Sequence, residues 1–240
     1  VERDTDMRGV WIVLLAAVAL LAVLVRGLLR ARTPGAAKRE RAVIVDLQDA
    51  TSVDRDTGAV RSVQKADLLI GETALEQIWT PAHLERLART YWRFLTRVTL
   101  GLIRVRYTEG ERSVVLVGGA LKLLTFQAPE YEMDATRGLV RWRIVRGLLV
   151  SRRGRNGGGY LQIEVRRDGQ EATPARAAGG LARLHVEVEV ANFYPSIASG
   201  LSRPIYDATQ SRVHVIVTYG FLRSLARLDL EESRVGRFAP

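Results

Sequence analysis

The chain contains no cysteine. That excludes disulfide bridges, thiolate metal sites and cysteine nucleophiles, and it leaves the redox compartment open. Histidine is almost as scarce: His83, His185 and His214 are the only three, and none has a partner at a metal-ligand spacing. Lysine is nearly missing too. Only Lys38, Lys65 and Lys122 stand among 36 basic residues. Such an arginine skew, beside abundant Ala, Gly, Val and Leu, is what a GC-rich coding sequence produces. It weakens the argument for nucleic acid that a net charge of +10 and a pI near 10.6 would otherwise make, and no recognition motif accompanies the charge. An anionic membrane surface or an acidic partner fits the basic balance better.

Cofactor signatures are also lacking. "GRNGGGY" (154–160) is glycine-rich, but no Lys-Ser or Lys-Thr closes it, and Tyr160 with a strand-like run follows. A phosphate loop needs that ending at the start of a helix, so the stretch reads as a hairpin turn. Asp54, Asp56 and Gly58 suggest a calcium loop, yet the twelfth position from Asp54 is Lys65 where a bidentate glutamate is required. That stretch also reads as a turn. No catalytic residue, metal or cofactor is assigned.

What the chain does have is one long apolar run. Gly9 to Val25 carries no charge over 17 residues, and Leu28 and Leu29 extend it to 21 positions. This is enough to span a bilayer as a helix. Trp11 suits the interface, and Arg8 and Arg26 can reach the headgroups on long stems. No A-x-A site follows the apolar core, so the segment reads as an uncleaved anchor over 9–29, after a short tail, 1–8. A basic tether, 30–41, comes next. Arg26, Arg30, Arg32, Lys38, Arg39 and Arg41 on this side outnumber Arg3 and Arg8 on the other. That bias predicts a single-pass membrane protein with the C-terminal part in the cytoplasm. The same six cations are candidates for contact with anionic headgroups. A signal-anchor with the domain outside stays open as the alternative.

Residues 42–230 read as one α+β domain, followed by a tail, 231–240. "AVIVDL" (42–47) and "AVRSV" (59–63) are strand-like, with an Asp-Thr-Gly turn between them. "ETALEQIW" (72–79) predicts a short helix. Thr80-Pro81 then predicts a capped start. From there Leu84, Leu87, Ala88, Tyr91, Leu95, Val98 and Leu102 recur at three- and four-residue steps, a helix over 81–102. Arg86, Arg89, Arg93 and Arg97 mark another face, read as solvated rather than as a phosphate-binding stripe. From residue 104 the period becomes two. "SVVLV", "LKLLTF", "GLVRWRIV", "GLLVS", "YLQIEV" and "RLHVEVEVA" predict a mostly antiparallel sheet of about six to eight strands. The stretch 166–180 is loop-like. From about Pro204 a C-terminal helical segment is expected, although Val213, Val215, Ile216 and Val217 pull toward strand.

The order of hairpin, two helices, strand meander and final helix resembles the helix-grip layout of START and polyketide-cyclase-type domains. The resemblance implies an apolar cavity beneath the last helix. Candidate ligand contacts are Trp142, Asn192, Phe193, Tyr194 and His214. Two polar groupings invite chemistry. His185, Glu187 and Glu189 align on one strand face, but charge pairing with neighbouring-strand arginines is the preferred reading. Ser211 and His214 would meet on a helix, but no nucleophile elbow accompanies them. The expected function is therefore a membrane-anchored, non-enzymatic binding module for a lipid-like or apolar ligand or a membrane partner protein. The alternatives are an accessory subunit of a membrane complex and a hydrolase-like enzyme.

Overall fold

A computed structural model describes residues 42–116, 119, 121–155, 158–168, 180–194 and 221. The expected anchor 9–29, the tether 30–41, Ser211, His214 and the C-terminal tail lie outside these residues. Among the described residues no helix is long and apolar enough to cross a membrane.

With Phe221 a further helical position, nine strands and two helices among the described residues make an α+β fold. They are β1 (Ala42–Val53), β2 (Val60–Gly71), α1 (Glu72–Ile78), α2 (Pro81–Val98), β3 (Ile103–Tyr107), β4 (Glu111–Leu116), β5 (Lys122–Gln127), β6 (Glu130–Met133), β7 (Arg137–Arg146), β8 (Tyr160–Arg167) and β9 (Leu181–Phe193). A short 3-10 turn, Arg152–Gly154, precedes β8. The strands form one sheet in the order β1-β2-β9-β8-β7-β5-β4-β3, with β6 also on β7. Every pairing is antiparallel.

The turn between β1 and β2 is the one expected, and its chemistry is local. Asp54 Oδ1 accepts from the backbone N–H of Asp56 (2.9 Å) and of Thr57 (2.7 Å). Those bonds hold its carboxyl below the ordinary value. Both strands run well past the apolar stretches that announce them. β1 continues through "QDATS" and β2 through "QKADLLIG". Buried polar side chains at this end are partly bonded to one another: Gln64 Nε2 donates to Ser62 Oγ (2.9 Å) and to Asp49 Oδ1 (3.0 Å), while Gln64 Oε1 has no partner among the described residues.

α2 starts as expected, with Thr80 Oγ1 accepting from His83 N–H and Pro81 at the first position. It ends at Val98, four residues before the expected end. Thr99 donates its hydroxyl back to the Leu95 carbonyl (2.9 Å), and Leu100 and Gly101 take φ of 51° and 81°. Such a left-handed pair closes a helix. The stripe residues Leu84, Leu87, Ala88 and Tyr91 are buried against the sheet, where each fully buried leucine contributes roughly 1.5–3 kcal/mol. Trp92 stands edge-on to Trp142 at 5.1 Å and tilts on Phe126 at 5.4 Å. Phe221 is helical, fully buried and edge-on to Tyr91 at 5.7 Å.

Two strand expectations are corrected. "GLLVS" (147–151) is no strand beyond a single bridge residue at Val150, because Gly147 at φ 148° turns the chain. β6 occupies "EYEM", a stretch outside the strand runs read from the sequence. Ala128 and Pro129 divide β5 from β6, and proline cannot donate to a ladder. β7 therefore pairs β6 through Gly138–Arg141 but β5 only through Ile144 and Arg146. The sheet is thinly joined at that seam.

Registers define two ends. Ala42, Gly71, Leu181 and Arg137 share one; Val53, Val60, Phe193, Tyr160 and Arg143 share the other. β2 has 12 residues, so the ends lie roughly 40 Å apart.

Candidate functional site

On the sheet face away from α2, acids and bases alternate across strands, and register decides who meets whom. Lys65 stands opposite Glu187, and Asp67 opposite His185. Lys65 Nζ lies 3.0 Å from Glu187, and Arg61 Nε donates to Glu189 Oε1 at 2.7 Å. Tyr160 also donates to Glu189, at 3.1 Å. His185 bridges two carboxylates, Nδ1 to Asp67 at 2.6 Å and Nε2 to Asp168 at 3.1 Å. The His185–Glu187–Glu189 alignment is thus absorbed into cross-strand pairs. Among the described residues no group of three or more His, Asp or Glu side chains is placed to hold a metal ion.

Glu164 is the most enclosed acid of this face. It accepts from Arg137 Nη2 (3.0 Å), from Gln162 Nε2 (3.2 Å) and from Arg166 Nε. Burial opposes its ionisation, but the bonds from Arg137 and Arg166 outweigh it and hold the carboxyl below its ordinary value. A depressed folded-state pKa adds stability above the unfolded value, near 4.3, and that stability is lost as pH falls through the folded pKa. The melting temperature is expected to fall below about pH 4, and Glu164→Gln to flatten part of that fall. Parallel melting curves for both proteins across this range would remove Glu164 from the account.

The second feature is a groove at the Val53–Tyr160 end, with a volume of about 480 Å³. Its described lining is Leu121, Lys122, Thr125, Val145, Arg146, Gly147, Leu148 and Arg155. Two backbone bonds shape it: Leu148 N–H to Lys122 O (3.0 Å) and Leu149 N–H to Leu123 O (3.1 Å) lay 147–149 along the start of β5. Gly147 is required there, since a Cβ would lie 2.2 Å from the Leu123 carbonyl oxygen. Leu121 and Leu148 are about half exposed at the rim. Arg146 donates to Glu111 at 2.7 Å. Next to Arg155, Arg153 donates to Thr57 O (3.3 Å) and stacks over the Tyr194 ring. The 3-10 turn is thereby fastened to the β1–β2 turn.

The expected ligand contacts are scattered. Trp142 is 1 % exposed and lies in the aromatic core, and Phe193 belongs to the same cluster. Asn192 is exposed with φ 50°, and Tyr194 lies under the 3-10 turn, its carbonyl accepting from Ser151 N–H (2.8 Å). Asn192, Phe193 and Tyr194 therefore share the groove's end of the sheet, while Trp142 faces inward. His214 and the six tether cations lie outside the described residues. The groove residues Leu121, Lys122, Arg146 and Leu148 escaped the sequence reading, because "GLLVS" reads as a strand. Two leucines directly after Arg-Gly were the available signal.

No protein-family model matches the chain, and no curated protein matches it.

Proposed function

We propose that the chain is a membrane-anchored, non-enzymatic binding module, held on the cytoplasmic face, for a lipid-like ligand or a membrane partner protein. One observation carries this reading: large apolar side chains stand exposed at the end of the domain that the anchor enters. Val43 is 54 % exposed, Val45 46 % and Leu181 65 %. They lie beside Ala42, directly after the basic tether. Exposed apolar side chains joined to a basic segment suit an anionic interface. The paired acids of the outer face support the non-enzymatic part, since each has a basic or hydroxyl partner rather than a substrate-sized opening. Phe221, helical and buried on Tyr91, supports a closing helix of the helix-grip kind.

The absence of cysteine makes the test clean. Single cysteines at Val43, Leu181, Asp56 and Val18 in the full chain would carry a polarity-sensitive dye, in vesicles of phosphatidylglycerol and phosphatidylcholine. A blue shift with quenching by lipid-borne nitroxide is expected at 43, 181 and 18, and none at 56. Solvent-like emission at 43 and 181 with a quenched dye at 18 would leave the anchor and favour the accessory-subunit reading. An unquenched dye at 18 would remove the anchor itself.

A further inference from the structure

The groove between β5 and the end of β7 is far from the anchor-proximal end and has a chemistry of its own. Its described lining holds three cations, Lys122, Arg146 and Arg155, and no carboxylate. Arg146 is engaged by Glu111. Among the described residues no carboxylate pairs with Lys122 or Arg155. Two of the three lining cations thus have no acidic partner among the described residues. Beside them the surface is apolar, formed by Leu121, Leu148 and Val145, and at Gly147 the floor is bare backbone. A volume of about 480 Å³ falls within the usual range for small-ligand sites.

We infer that this groove binds a single-chain anionic amphiphile, with its carboxylate or phosphate head between Lys122 and Arg155 and its chain across Leu121 and Leu148. The two parts of the ligand answer two separate features. Hydrogen bonds to a charged group are stronger than those between neutral groups. Covering two half-exposed leucines adds a hydrophobic contribution that an inorganic anion cannot make. An anion alone would leave the leucines wet, and a neutral chain would leave both cations without a counter-charge. The site is at the opposite end of the sheet from Ala42, roughly 40 Å away by strand length. The inference stands whether or not residues 9–29 form an anchor.

The test is isothermal titration of the full chain, in nanodiscs of phosphatidylcholine, with octyl phosphate, octanol and inorganic phosphate. Saturable one-to-one binding of octyl phosphate is expected, with both other probes at least tenfold weaker. Lys122→Glu combined with Arg155→Glu is expected to weaken octyl phosphate about tenfold or more, at an unchanged melting temperature. Leu148→Ser is expected to weaken it severalfold while leaving inorganic phosphate unaffected. Equal affinity for inorganic phosphate would reduce the groove to a simple anion site and overturn the proposal. Equal affinity for octanol, or indifference to the charge reversal, would overturn it as well. Stronger competition by a polyglutamate peptide than by octyl phosphate would assign the groove to an acidic protein segment instead.

Discussion

Trp142→Ala is expected to lower the unfolding free energy by about 3–5 kcal/mol, the usual range for removing a large aromatic side chain from a core. At 2–4 °C per kcal/mol for a domain of about 200 residues, the melting temperature falls by on the order of 10 °C. The size of the effect follows from position. Trp142 projects from the middle of β7, is 1 % exposed and meets Trp92 edge-on at 5.1 Å. Trp92 also packs on Phe126, from the other half of the sheet, and Tyr91 packs on Phe221. Deleting the indole opens a cavity where α2, β5 and β7 come together. It also removes an aromatic pair worth about 0.5–1.5 kcal/mol beyond its area. Calorimetry on the full chain reads both. A shift below 2 °C would mean that the aromatic cluster is not the packing centre, and would return Trp142 to the ligand contacts.

Gly147→Ala is expected to destabilise by about 2–4 kcal/mol, combining a strained backbone position with overpacking. The residue holds φ 148°, and a new methyl group would lie 2.2 Å from Leu123 O and 2.7 Å from Leu124 Cα. Both neighbours are backbone, so no side chain can swing aside. Either β5 shifts or 147–149 lifts away, breaking the bonds from Leu148 to Lys122 and from Leu149 to Leu123. Urea unfolding measures the loss, and octyl phosphate titration measures the deformed groove, for which an affinity drop of more than tenfold is expected. Leu148→Ala provides the contrast: its side chain is half exposed, so stability changes little. Should Gly147→Ala prove as stable as Leu148→Ala, the segment is not held against β5.

How far the fold was legible depended on how regular each segment's pattern is. The stripe of α2 stood out because five turns repeat it and Thr80-Pro81 announces its start. β8 and β9 stood out because Leu161, Ile163 and Val165, then Val186 and Val188, alternate strictly with polar residues. The second halves of β1 and β2 did not, because "QDATS" has no apolar alternation and Gln64 takes an inward position where the eye expects an aliphatic residue. β6 is four residues long and follows a proline, which leaves no period to detect. The charge pairs of His185, Glu187 and Glu189 were foreseeable, since alternation alone puts them on one face opposite another strand. The groove was not. Lys122, Arg146 and Arg155 come from three separate segments, and only the pairing of β5 with the end of β7 brings them together. No spacing along the chain encodes that.

The seam beside that pairing divides the molecule into unequal mechanical parts. β8 and β9 share eight register pairs, whereas β5 and β7 share two, with an irregularity between them. Cooperative units in a protein separate where bonding is thinnest, so the piece made of β3, β4 and β5 is expected to come away first, while the sheet from β1 through β2, β9 and β8 to β7 stays closed. The groove lies astride this line, with Lys122 and Thr125 on one bank and Val145 and Arg146 on the other. Whatever fills it grips both banks at once. By mass action such an occupant favours the closed form over the opened one. The ligand is then a clasp as well as a cargo, and occupancy at this end sets how long the two pieces stay together.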